Sequence, residues 1–224
     1  MPPHVVKSFI AFDALLLISG ALLIGAGSVW QTQVSSPPSK ETVGRLLMLQ
    51  RCPLAAVIAN GVLVVIGFFM SLPAFAIPTS RGWLKVYIFL VTVCLIFTLC
   101  LGLNEWMQTL STRANLEEMW GGQSSAMQSM LQQKFDCCGY RNWTSPRYVP
   151  DNICTDDIIA STKEGCVTAF STYAERWLNV LFTGAFGIVG LDVVVLLCAA
   201  MLINYRKEQA RYRLIDQKYG IGGF

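Results

Sequence analysis

Charged side chains are scarce in this chain of 224 residues: 14% are charged and 54% apolar, whereas soluble domains carry roughly 25% charged residues. A wet surface around one large core cannot be built at that density, so a single water-soluble domain is excluded. The same apolar richness excludes a disordered chain. Histidine is almost absent, with His4 the sole example, which removes the usual residue of acid–base and zinc chemistry. The net charge of +3 is small and dispersed, so no nucleic-acid partner is expected. No catalytic constellation, metal-ligand set or cofactor motif is present, and neither an enzyme nor a metalloprotein is expected.

Four windows are nearly empty of charge. Only Asp13 interrupts the run from Lys7 to Lys40, and only Asp192 the run from Arg176 to Arg206. The runs from Arg51 to Arg81 and from Lys85 to Glu105 contain no ionisable carboxylate, amine or guanidinium. About 20 apolar residues in a helix cross a bilayer core, and each window is long enough. The expected spans are 9–30, 53–77, 84–103 and 178–203. Between and around them lie a cytoplasmic N-terminus (1–8), a small extracellular loop (31–52), a cytoplasmic loop (78–83), a large extracellular loop (104–177) and a cytoplasmic tail (204–224). The first apolar run exceeds the ~7–15 residues of a cleaved signal and is kept as a span. Basic residues in the tail (Arg206, Lys207, Arg211, Arg213, Lys218) favour a cytoplasmic position, but Lys40, Arg45 and Arg51 in the small loop pull the other way.

Cysteines decide the orientation. Cys137, Cys138, Cys154 and Cys166 crowd into one stretch of the large loop, an even cluster that reads as two disulfides formed in an oxidising compartment. Adjacent cysteines without histidine make a poor tetrahedral zinc site. Vicinal Cys137 and Cys138 are badly placed to bond each other, which leaves a nested and a crossed pairing open. The sequon Asn142-Trp143-Thr144 makes Asn142 a glycosylation candidate on the same side. The expected fold is therefore an all-α membrane protein, a four-transmembrane-helix bundle with a small, disulfide-bonded, mainly helical extracellular domain. Met127, Met130, Leu131 and Phe135 make one helical face, and an uninterrupted Val167–Phe182 should run straight into span four. The stretch from Arg141 to Gly165 should form a short pinned lobe, with Trp143, Tyr148 and Ile153 as candidates for contact with partners.

Inside the spans, Asp13 and Asp192 are the costly residues, at ~2.5–3.5 kcal/mol each on insertion scales. With Asn60 and Thr92 they are candidates for a polar lining between helices, and Thr92 is a candidate partner for Asp192. Small-residue pairs Ala21/Gly25 and Ala55/Ala59 suggest close packing of spans one and two. In the tail, Tyr212-Arg213-Leu214-Ile215 matches a Tyr-x-x-apolar sorting signal, with Tyr212 and Ile215 as its anchors. Cys198 is a palmitoylation candidate near the cytoplasmic boundary.

Four spans, a small first loop, and a large second loop whose cysteines open with Cys137-Cys138-Gly139 and continue with Cys154 and Cys166 together resemble the tetraspanin family. The resemblance implies nested disulfides, Cys137–Cys166 and Cys138–Cys154. It implies a non-enzymatic scaffold in the plasma or endosomal membrane that gathers other membrane proteins and tetraspanins and holds a sterol or other lipid. The compact loop and two-disulfide count are similar to tetraspanins of filamentous fungi associated with host penetration by the appressorium. Departures from the family pattern are Asp13 in span one, where Asn is usual, and Thr92 and Thr98 as the polar residues of span three. A small transporter or channel that uses Asp13 and Asp192 is the alternative reading.

Overall fold

The computed structural model describes residues 3–76, 82–110 and 112–219. The expected cytoplasmic loop at 78–83 lies largely outside them. Eight helices are described: α1 (Pro3–Val34), α2 (Val43–Arg51), α3 (Leu54–Ala76), α4 (Gly82–Leu110), α5 (Thr112–Gly121), α6 (Ser125–Phe135), α7 (Asp157–Thr162) and α8 (Cys166–Tyr219). Four stretches of helix are long and apolar enough to cross a membrane: Val5–Val34, Leu54–Pro73, Gly82–Met107 and Cys166–Lys218. No strand occurs among the described residues, only isolated bridges at Asn142–Ser145 and Thr144–Arg147. The helices divide into two compact units.

Unit one comprises residues up to Ala26, Ala55–Cys100 and the chain from Ala185. Its core joins Phe9 and Leu16 of α1, Val64 of α3, Tyr87 and Val91 of α4, and Val195 and Leu202 of α8. Phe9 and Tyr87 meet edge to face with ring centroids 5.6 Å apart. Outward positions such as Leu22, Phe89 and Leu197 are exposed, as lipid-facing residues must be. Lipid is as apolar as these side chains, so helix association here depends on close van der Waals approach. The closest approach is made by Gly20 and Gly61. A methyl on Gly20 would meet Val64 at 2.8 Å, and one on Gly61 would meet the Gly20 carbonyl at 2.9 Å. The expected pairs do not make this contact: Ala21, Gly25, Ala55 and Ala59 are exposed, and Gly25 has open space where a side chain would go. The helix phase places the contact elsewhere on both spans.

Unit two comprises Gly27–Leu54 and Leu101–Gly184. Its larger core packs Val43, Leu47 and Met48 of α2 with Leu116, Met119 and Trp120 of α5, Leu131 of α6, and Phe170 and Ala174 of α8. The small loop thus contributes an amphipathic helix, α2. A second, smaller core consists of Cys138, Tyr148, Cys154 and Ala160, with Trp143 and Ile153 against it. α6 begins at Ser124, whose hydroxyl accepts from the Met127 N–H, and ends at Asp136 in the left-handed conformation, φ 52°. α7 begins at Asp156, whose carboxylate accepts from the Ile159 N–H at 2.8 Å. These side chains satisfy helix-end donors that burial would otherwise strand. α8 is continuous from Cys166 to Tyr219.

Candidate functional sites

The lobe is pinned by two nested disulfides, Cys137–Cys166 and Cys138–Cys154. The vicinal cysteines therefore serve different cores: Cys137 belongs to the larger one and Cys138 to that of the lobe. The turn after them pairs with the chain entering α8. Cys138 N–H donates to the Glu164 carbonyl (3.1 Å), Cys166 N–H to Gly139 (3.0 Å) and Val167 N–H to Tyr140 (2.9 Å). Gly139 has φ +72°, and a Cβ there would strike the Asn142 carbonyl. Gly165 is restricted by space alone, since its Cβ would strike the backbone of Tyr140 and Arg141.

Gln132, fully buried, ties the lobe to α6. Its amide nitrogen donates to the Val149 carbonyl (2.8 Å) and Asp151 Oδ2 (3.0 Å), and its oxygen accepts from the Val149 N–H (3.0 Å). Asp151 Oδ1 in turn accepts from the N–H groups of Ile153 (2.8 Å) and Cys154 (2.7 Å). Of the expected contact residues, Trp143 and Ile153 are half-buried against the lobe core. Tyr148 is buried, with 6% exposure; its hydroxyl donates to Asp157 at 2.8 Å, so it holds the lobe together and is not a surface for partners. The apolar exposure lies instead on α7, at Ile158 (77%) and Ile159 (41%). A polar-looking segment with isoleucines at consecutive positions was the available signal. Asn142 is exposed, and its side-chain oxygen accepts from the Ser145 N–H (2.7 Å) and the Thr144 hydroxyl (2.9 Å).

In unit one the polar residues form two separate sets. Asp13 is buried and fully engaged: Ser71 Oγ lies 2.5 Å from its Oδ2, and Tyr87 Oη donates to its Oδ1 at 2.6 Å. Asn60 Nδ2 donates to Thr98 Oγ1 at 2.7 Å, both side chains buried. Sequence reading did not link Ser71, Tyr87 or Thr98 to these partners. Thr92 does not meet Asp192, because its hydroxyl donates to the Ile88 carbonyl of its own helix at 2.8 Å. Asp192 has no exposed surface, and neither carboxyl oxygen has a hydrogen-bond partner among the described residues. Cys198 is packed among the core residues around Val195 and Leu202, with 5% exposure. That burial opposes its acylation in this conformation; the exposed thiol is Cys100. Tyr212 and Ile215 are exposed but helical, so a receptor that reads an extended peptide would have to unwind the end of α8.

Cys52, half-buried at the end of the small loop, points its thiol at Glu105 Oε2, 3.9 Å away. Burial first, then the charge and hydrogen bond of Glu105, push the thiol up to about 12. Only thiolate alkylates, so at pH 8 Cys52 should react about a thousandfold more slowly than a free cysteine. Glu105→Gln removes the secondary causes but not burial, and Cys52 alkylation by iodoacetamide should then rise several-fold. An unchanged rate, followed by peptide mass spectrometry, would show that the carboxylate does not protect the thiol.

A family model, the tetraspanin family, matches residues 5–205. A 23 kDa integral membrane protein of Schistosoma mansoni is 22% identical over 205 residues, covering 88% of this chain and 90% of its own length. No solved structure matches.

Proposed function

Because this chain belongs to the tetraspanin family, a family of multi-pass membrane proteins, we propose that it is a non-enzymatic scaffold. It gathers partner membrane proteins and other tetraspanins through the lobe at 141–165. The observation that carries this reading is the apolar surface of α7: Ile158 and Ile159 stand exposed there, in a segment that a disulfide and the Gln132 network hold in one shape. Apolar groups on a rigid support bind with little ordering cost. The basic tail and both termini face the cytoplasm in this reading, in the plasma or endosomal membrane. Sterol or other lipid sits between the spans, where a lipid hydroxyl would satisfy the unpaired Asp192 carboxyl. In a filamentous fungus the scaffold serves penetration of the host by the appressorium, a role that rests on the compact two-disulfide loop.

Crosslinking of the intact protein in its membrane, followed by mass spectrometry, tests the scaffold. Ile158→Asp should lower recovery of lobe-dependent partners about tenfold, as expected for loss of an interface anchor. Undiminished recovery, both with Ile158→Asp and with 141–165 exchanged for another sequence, would remove the lobe as the recognition element. The unpaired Asp192 also favours a second reading, a small transporter or channel. Asparagine at both Asp13 and Asp192 would abolish solute flux under that reading and leave partner recovery unchanged under the first.

A further inference from the structure

Unit two contains both disulfides, which form in an oxidising compartment, yet its small loop carries Lys40, Arg45 and Arg51 against the positive-inside bias. The ion pairs among the described residues, Arg141–Glu117, Arg147–Asp157 and Lys163–Asp136, include none of these three cations. Arg45 is exposed, with its guanidinium 6.0 Å from the Trp177 ring centroid. It is also close enough to Lys134 for its charge to add to the effect of burial in lowering that ammonium's pKa. Glu41 offers Lys134 its backbone carbonyl at 2.6 Å; its carboxylate forms no ion pair with either cation, but its charge opposes the effect of Arg45 on Lys134. The effect of Arg45 outweighs that of Glu41, and an oxyanion would relieve the repulsion that remains.

Beside Arg45 lies a cleft of about 230 Å³, lined by Gln33, Ser39, Thr42, Leu46 and Leu49 among others. The Ser39 and Thr42 hydroxyls are 2.8 Å apart, so when Thr42 donates to Ser39 the Ser39 proton is free to point into the cleft. Leu46 and Leu49 are buried and make one wall apolar. The cleft begins where the candidate span Val5–Val34 ends. Trp30 and Trp177, with ring centroids 5.8 Å apart, are the residue type that marks the membrane–water boundary. A cation and hydroxyl donors over an apolar wall, at headgroup depth, match a phosphate diester on a hydrocarbon stem. We infer that this cleft binds the phosphate of an outer-leaflet phospholipid, with Arg45 and the Ser39 hydroxyl on the oxyanion and Leu46 and Leu49 against the stem. The inference does not depend on the scaffold reading.

Full-length protein in an uncharged maltoside detergent would be titrated with dioctanoyl phosphatidylglycerol, with dioctanoylglycerol (the same tails without phosphate) and with inorganic phosphate, and binding would be read by native mass spectrometry. The phospholipid should bind most tightly. Arg45→Gln should weaken it about tenfold, the scale of one charge-assisted contact; Arg45→Lys should recover part of the loss, and Arg51→Gln should change it less than about twofold. Should Arg45→Gln fail to fold, Ser39→Ala carries the same test, with an expected several-fold loss. Equal losses in Arg45→Gln and Arg51→Gln would reduce the site to diffuse attraction and overturn it. Inorganic phosphate binding as tightly as the phospholipid would overturn the lipid assignment. Dioctanoylglycerol binding as tightly would overturn the phosphate assignment, and no phospholipid binding would overturn the site.

Discussion

Serine at both Cys137 and Cys166 lowers the stability of unit two by about 3–4 kcal/mol, the chain-entropy value for a loop of this length; the two cysteines are 29 residues apart. That is a large share of the stability of any small domain. The loss should be broad, because Cys137 and Cys166 sit in the same core as Trp120, Leu131 and Phe170. Hydrogen exchange on the purified full-length protein should show faster exchange along α5, α6 and the start of α8. Serine at Cys138 and Cys154 instead releases a bond spanning 16 residues within the lobe. It costs about 3 kcal/mol, with the new exchange confined to 141–165. Broad exchange in the second pair, or none in the first, would contradict the division of the vicinal cysteines between two cores.

Gly139→Ala should destabilise the lobe by about 3 kcal/mol or more. The left-handed backbone costs an L-residue roughly 1–2 kcal/mol, and overpacking adds roughly 1–3 kcal/mol, here against the backbone carbonyl of Asn142, which cannot rotate away. Gly165→Ala should cost roughly 1–3 kcal/mol from overpacking alone, since its Cβ would strike the backbone of Tyr140 and Arg141. Gly25→Ala, by contrast, should be nearly neutral, since the added methyl meets nothing. Protease susceptibility of the lobe, measured on all three variants, separates these outcomes. A Gly139→Ala protein as resistant as the parent would mean that the turn relaxes without cost.

These positions also show what the sequence could reveal. The spans were legible because charge is excluded from lipid, and the cysteine cluster because its spacing and hydrophilic setting leave few alternatives. Gly139 stands out in the sequence as the last residue of the Cys137-Cys138-Gly139 motif. Gly165 carries no such local sign; it is required by a backbone that returns from Tyr140 and Arg141. The same limit hid the partners of Asp13, since Ser71 and Tyr87 lie on later spans and only the rotation of each helix brings them into register. Rotation also moved the close approach from Ala21/Gly25 to Gly20, a shift of one residue that a motif cannot resolve. α2 is hard to read from sequence because the helix spans only nine residues and its apolar positions, Val43, Leu46, Leu47 and Leu49, share it with Arg45 and Arg51. Tyr148 misled in the other direction: an aromatic residue in a polar loop looked available, but Asp157 accepts its hydroxyl proton and lets it be buried.

The engagement of Asp13 by residues of two later spans bears on how the protein is made. Chains emerge N-terminus first, so span one leaves the ribosome with its carboxyl unsatisfied. The Ser71 and Tyr87 hydroxyls arrive only after 58 and 74 further residues have followed. Until then the segment carries a penalty for entering lipid. Satisfaction of that carboxyl within the bilayer therefore waits on spans two and three. A chain truncated before Tyr87 keeps an unmet hydrogen-bonding demand in its first span.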